Sequence, residues 1–222
     1  MKLAQLTTPV GVAVFPWLNE PDTKFDSQRQ KGGEYHVDLR LSEEDSAPLV
    51  ERLEGLLTEW IAVKNAEQKE LKKKPFKPYS NKPWAPVEDE EGNPTGETLF
   101  KFKRGAQWTD REGEIRKNTI KFVDSQGQGI TNLTDVIGSG SLISVCFRAR
   151  GWASPLGISV ALDIVAVQIK EMNAYVGADE SFGFSPDPDG GYVSETDVEG
   201  EHEVQADISE AVGETVSPDG DF

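Results

Sequence analysis

Three sets of residues in the 222-residue chain combine cations and aromatic rings at spacings that can do chemistry. In Ser144-Val145-Cys146-Phe147-Arg148-Ala149-Arg150-Gly151-Trp152 the two-residue period of a strand puts Val145, Phe147 and Ala149 on one face. Arg148, Arg150 and Trp152 then share the other, provided no bulge intervenes. In Phe100-Lys101-Phe102-Lys103 the two rings are expected in a core, leaving Lys101 and Lys103 outward, and Lys121 stands likewise between Ile120 and Phe122. The third set is Lys72, Lys73, Lys74 and Lys77, which run with Lys82 among Phe76, Tyr79 and Trp84. Rows of cations beside aromatic faces suit a single-stranded polynucleotide: the cations track phosphates, and each stacked base contributes roughly 1–3 kcal/mol whatever its sequence. These ten charged and aromatic positions, Lys72, Lys73, Lys74, Lys77, Lys101, Lys103, Lys121, Arg148, Arg150 and Trp152, are the expected contacts to a single-stranded nucleic acid. The plain alternative is that strand lysines merely solubilise a wall, whereas an indole aligned with two guanidiniums on a solvated face is less ordinary. Trp60 is expected in the core, and spacing leaves Trp17 and Trp108 unassigned.

Catalytic chemistry has few candidates. Only His36 and His202 are available to a triad, and Gly138-Ser139-Gly140-Ser141 lacks the lysine and spacing of a P-loop and reads as a turn. Asp38, Asp110, Asp124 and Asp163 follow no metal-ligand spacing. A nuclease-like pairing of Pro21-Asp22 with Glu67-Gln68-Lys69 places its second half on a helix. No catalytic residue, metal or cofactor is therefore expected. Cys146, the one cysteine, forms no internal disulfide and favours a reducing, cytoplasmic setting. No apolar run approaches the roughly 18 residues of a membrane span, and no membrane partner is expected.

The elements that must position these side chains are mostly strands. Tyr35, Val37, Leu39 and Leu41 alternate with polar residues, and the same pattern covers Val10 to Val14, Leu99 to Lys103, Thr119 to Val123, Leu142 to Arg150 and Ile158 to Ile169. One helix is predicted from Leu49, Leu53, Leu56, Leu57, Trp60, Ile61 and Lys64, capped at Asp45 or Ser46 and closed by Lys72 to Lys74 before Pro75. Residues 75 to 96 read as a long loop. An all-β domain with a single inserted helix fits an OB-fold, a five- to six-stranded antiparallel barrel.

The net charge of −16 is unevenly distributed: residues 1–171 carry −2, and residues 172–222 carry −14, with no lysine or arginine. We therefore expect a binding domain over 1–171 and an acidic, disordered tail over 172–222. A flexible chain of that length spans about 40 Å, against a radius of gyration of about 15 Å for the body, so the tail can compete for a cationic groove and also serve as a docking peptide. Phe222 joins an aromatic ring to the terminal carboxylate, and Asp219 and Asp221 flank it as partner-binding residues. The competing reading is an acidic DNA mimic or adaptor that binds proteins and no DNA; it leaves Arg148, Arg150 and Trp152 without a role.

Several stretches occur in an order that resembles the single-stranded DNA-binding protein of bacteriophage T7-type phages. They are Tyr35-His36-Val37-Asp38-Leu39, Lys74-Pro75-Phe76-Lys77-Pro78-Tyr79, Phe100-Lys101-Phe102-Lys103, Val123-Asp124-Ser125-Gln126-Gly127, Ile137-Gly138-Ser139-Gly140-Ser141 and the terminal Asp219-Gly220-Asp221-Phe222. The resemblance implies an OB-fold that coats single-stranded DNA in phage replication, recombination and repair and promotes annealing. It also implies a homodimer in the cytoplasm of the infected bacterial host, with the tail contacting the phage DNA polymerase and helicase-primase. The family's binding stretches fall on Lys72 to Lys77 and on Arg148, Arg150 and Trp152. The tail departs from the pattern, spacing single acids among apolar residues where the family has dense acidic blocks.

Overall fold

The computed structural model describes residues 4–24 and 32–173. Its strands are β1 (Ala4–Thr7), β2 (Gly11–Asp22), β3 (Glu34–Leu41), β4 (Trp84–Glu88), β5 (Pro94–Gly105), β6 (Gln107–Thr109), β7 (Ile115–Lys117), β8 (Lys121–Val123), β9 (Gly129–Ile130), β10 (Leu142–Ser154) and β11 (Gly157–Glu171), with helix α1 (Glu43–Glu70) between β3 and β4. Five of the strands form a closed circuit of hydrogen-bonded neighbours: β2 pairs with β3, β3 with β5, β5 with β11, β11 with β10, and β10 again with β2. Four contacts are antiparallel and β5–β11 is parallel. Closure matters because it leaves no free edge among these five strands and divides every one of them into an inward and an outward row.

The inward row is the alternating apolar set. Val37, Leu39, Phe100, Phe102, Phe147, Leu162 and Ile164 are each no more than 1% exposed. Phe102 meets the edge of Phe147 with ring centroids 5.0 Å apart. Burying each such side chain contributes about 1.5–3 kcal/mol, enough to fix the register that sends the polar residues outward.

Helix α1 begins earlier than its periodicity indicates. Ser42 is the N-cap, its hydroxyl accepting from the Asp45 N–H at 3.2 Å, while Ser46 is buried and donates to the Glu43 carbonyl. The acids Glu43, Glu44 and Asp45 fill the first turn, where the helix dipole favours negative charge. Pro48 therefore lies inside the helix. Leu49, Leu53 and Leu57 are its buried residues. Trp60, expected in the core, is only half-buried: its ring lies over Gly151, where any Cβ would come within 2.4 Å of it.

The C-terminal end of α1 is a Schellman turn. The Lys73 N–H donates to the Gln68 carbonyl and the Lys72 N–H to the Lys69 carbonyl. Lys72 itself sits at φ 53, a position that glycine normally fills.

Residues 75–96 are not a continuous loop. They contain β4, an edge strand paired to β5 through Trp84↔Phe100 and Ala85↔Leu99, and Trp84 is 8% exposed. Pro83 and Pro86 hide this strand from a propensity reading; an edge strand tolerates proline because its outer backbone groups need no partner. The strand expected at Thr119 to Val123 is shorter, covering Lys121–Val123.

Candidate nucleic-acid interface

Strand register brings the outward residues into a row running round the barrel wall. Trp17 pairs with His36, His36 with Lys103, Lys103 with Asp163, Asp163 with Arg148, and Arg148 with Gln5. One register step away, Asp38 pairs with Lys101. Lys121 lies outward against Ala166. The β10–β11 ladder does contain two bulges, but the extra residues, Val165 and Lys170, both belong to β11, so the alternation of β10 is unbroken. Arg148 and Arg150 are exposed, and Trp152 is half-buried on the same face.

These cations differ in their freedom. Arg150 is engaged in a fork with Asp163, Nε to Oδ2 at 2.6 Å and a terminal nitrogen to Oδ1 at 3.2 Å. The hydrogen bonds that the guanidinium donates to Asp163 hold its pKa above the ordinary value, against the opposing effect of partial burial. Lys103 lies 3.5 Å from Glu34. Lys101 faces Asp38, whose carboxyl is pushed up by burial while Lys101 and His36 pull it back. Arg148, Lys121, Lys72, Lys73, Lys74 and Lys77 make no ion pair among the described residues.

The lysine-rich segment after α1 is fixed at both ends. On the helix side, Asn65 donates to the Phe76 carbonyl at 3.2 Å and accepts from the Phe76 N–H at 2.7 Å, and Lys82 pairs with Glu54. On the barrel side, the Tyr79 N–H donates to the Ile158 carbonyl at 2.7 Å, and the Ile158 N–H donates to the Lys77 carbonyl at 2.9 Å. Gly157, at φ 144, admits this segment: a Cβ there would stand 2.7 Å from the Lys77 oxygen. The result places the Tyr79 ring edge-on to Trp152 with centroids 5.4 Å apart. Thus the structure joins the third predicted set to the first, with Lys74 and Lys77 exposed on the segment that carries Tyr79 to Trp152.

Sequence reasoning missed other parts of this surface. Trp17 is 43% exposed and packs near His36 with centroids 6.5 Å apart. The only signal for it was its outward parity in β2, which a register slip between Val14 and Trp17 obscures. The acids Asp38 and Asp163, considered above as metal ligands, are instead interleaved with cations on the outward face, and the described residues contain no cluster of three or more metal-ligating side chains. Asp219, Asp221 and Phe222 lie outside the described residues, as does the tail from residue 174 onward. Met172 packs against the core, and Asn173 is bound to Gly138, Ser139 and Ser141.

Comparison with known proteins gives a consistent result. A family model for the single-stranded DNA-binding protein of bacteriophage T7 matches residues 10–172. The single-stranded DNA-binding protein of Enterobacteria phage T3 is 30% identical over 97% of this chain and 96% of its own length. That of Escherichia phage T7 is 29% identical over 68% of this chain and 64% of its own length. The crystal structure of gp2.5, a single-stranded DNA-binding protein encoded by bacteriophage T7, superposes with a TM-score of 0.64 at 23% identity, covering 87% of this chain and all of that one. With its fold and most of its described length accounted for, the chain belongs to the bacteriophage T7 single-stranded DNA-binding protein family.

Proposed function

We propose that this chain is a single-stranded DNA-binding protein that coats the strand without sequence preference. The observation that carries this reading is the Tyr79–Trp152 pair, whose two segments carry Lys72, Lys73, Lys74 and Lys77 before Tyr79 and Arg148 before Trp152, cations with no ion pair among the described residues. Aromatic faces take bases of any identity, and cations that have no protein partner are free to take phosphates. Lys101, Lys103, Lys121 and Arg150 extend the path over the wall. The closed five-strand circuit, with its one parallel contact, supports an OB-fold, in which the outward face and rim loops form the polynucleotide site. We assign no catalytic step to it.

The biological setting belongs to the same proposal: replication, recombination and repair of phage DNA, promotion of annealing, and action as a homodimer in the cytoplasm of the infected bacterium. The tail, with Asp219, Asp221 and Phe222 at its end, competes with DNA for the cationic face and recruits the phage polymerase and helicase-primase. Membership of the family and the concentration of −14 in the last 51 residues support this reading.

Titration with oligo(dT), followed by tryptophan fluorescence at several salt concentrations, tests the DNA reading. A binder gives quenching and a log–log salt slope of about −0.7 per phosphate neutralised; the absence of both removes the proposal. Deletion of residues 174–222, which spares Asn173, should raise affinity most at low salt, where the tail competes best. Unchanged low-salt affinity removes the competitor role.

A further inference from the structure

Strand β2 departs from regular pairing with β3 twice, between Val14 and Trp17 and between Trp17 and Asp22, and the DNA reading leaves the first departure unused. Between Val14↔Asp38 and Trp17↔His36 it carries one extra residue. Within this bulge Phe15 sits at φ 46, its N–H donating to Ser139 Oγ at 2.9 Å, and its ring is 74% exposed. A left-handed backbone is sterically disfavoured for every residue other than glycine. The chain thus keeps a large apolar ring both strained and solvated, a combination that collects at ligand sites.

The surroundings are shaped accordingly. Trp17 lines two hollows, one of about 710 Å³ and one of about 420 Å³. Both lie within the roughly 300–1,000 Å³ of small-ligand pockets. Buried Leu18 and Ile120 line the larger hollow together with Thr131, Thr134 and Lys121. Phe15, Val136 and Ser139 line the smaller. Asn19 holds the far wall in place, donating to the Asp135 carbonyl at 3.0 Å and accepting from the Ile137 N–H at 3.1 Å.

We propose that Phe15 and Trp17 form a second base-stacking site, in which unstacked nucleobases of a single strand occupy the hollows beside the Trp17 ring. Three features select a nucleobase. An indole offers a face for stacking, threonine hydroxyls beside an apolar floor suit the polar edge of a base, and Lys121 supplies a cation for its phosphate. The site is also continuous with the cationic wall, because Trp17 pairs with His36 and His36 with Lys103. The inference rests on the DNA reading and adds a location to it, separate from Tyr79 and Trp152.

Photocrosslinking of the full chain to oligo(dT) carrying 5-iododeoxyuridine, together with the variant Phe15→Gly, tests it. Glycine adopts φ 46 without strain, so the bulge survives while the ring is lost. The expected results are crosslinks within residues 11–22, and oligo(dT) binding weakened about fivefold or more in Phe15→Gly with no loss of thermal stability. Normal binding by Phe15→Gly with crosslinks only at Tyr79 and Trp152 overturns the second site and leaves the DNA reading standing. Loss of self-association in Phe15→Gly at unchanged DNA affinity assigns the bulge to contact between copies, and also overturns it. A wild-type chain that fails to bind oligo(dT) defeats both readings.

Discussion

Tyr79 meets the ring of Trp152 at a centroid separation of 5.4 Å and an interplanar angle of 62°, joining the segment after α1 to the β10–β11 hairpin. Two stretches that each carry basic residues thereby form one surface. Aromatic pairs of this geometry contribute about 0.5–1.5 kcal/mol beyond area burial. The contact also orients the indole, since a tethered neighbour limits the rotamers Trp152 can adopt.

Replacing Trp152 with Ala should weaken oligo(dT) binding by about 1–3 kcal/mol, the range for one stacked base. Tyr79→Ala should act partly through Trp152, so the double variant should lose less than the sum of the singles. A coupling of about 0.5–1.5 kcal/mol in a double-mutant cycle of affinity is expected; additive losses would show that the two rings act independently.

Asp163 restrains Arg150. Its replacement by Asn should free the guanidinium for phosphate and raise single-strand affinity severalfold at low salt, with a steeper salt slope. The stability cost should stay below about 1 kcal/mol, because both side chains retain solvent contact, at 50% and 29% exposure. A drop in melting temperature with no gain in affinity would make the pair a structural brace.

Lys72 occupies the left-handed position of the Schellman turn at φ 53. Lys72→Gly should stabilise the fold by up to about 1 kcal/mol by relieving that conformation. If the ammonium contacts a phosphate, the same change should weaken binding and flatten the salt slope by about 0.7. Thermal unfolding and salt-dependent titration on one variant read the two effects separately; greater stability at an unchanged slope would remove Lys72 from the DNA path.

Burial raises the Asp38 carboxyl, so the folded state holds this proton more tightly than the unfolded chain does. The resulting contribution to stability is present at acid pH and is lost as pH rises from the ordinary aspartate value through the raised one. Asp38→Asn should therefore remove that part of the pH dependence and stabilise the chain at neutral pH. It should also release Lys101 and strengthen DNA binding. Unfolding curves across the mildly acidic range check the first effect, and oligo(dT) titration checks the second.

Which strand residues face inward is legible from alternation alone. Alternation at Tyr35 to Leu41 and at Val145 to Ala149 placed a core on one side and Arg148, Arg150 and Trp152 on the other, because a two-residue period admits only that partition. The charge distribution also separates a near-neutral body from a tail carrying −14. Local pattern serves less well where a strand borders solvent or proline intervenes: Pro83 and Pro86 conceal β4, and the acidic, exposed first turn conceals the start of α1. Which outward residues are neighbours is not legible in the chain order. That depends on pairing between strands distant in sequence, such as Lys103 with Asp163 and Trp17 with His36. It depends equally on the backbone hydrogen bonds from Tyr79 and Ile158 that bring Tyr79 to Trp152. The charge state of the surface follows from the same contacts: Arg150 and Arg148 are alike by sequence position, yet one is held by Asp163 and the other makes no ion pair among the described residues.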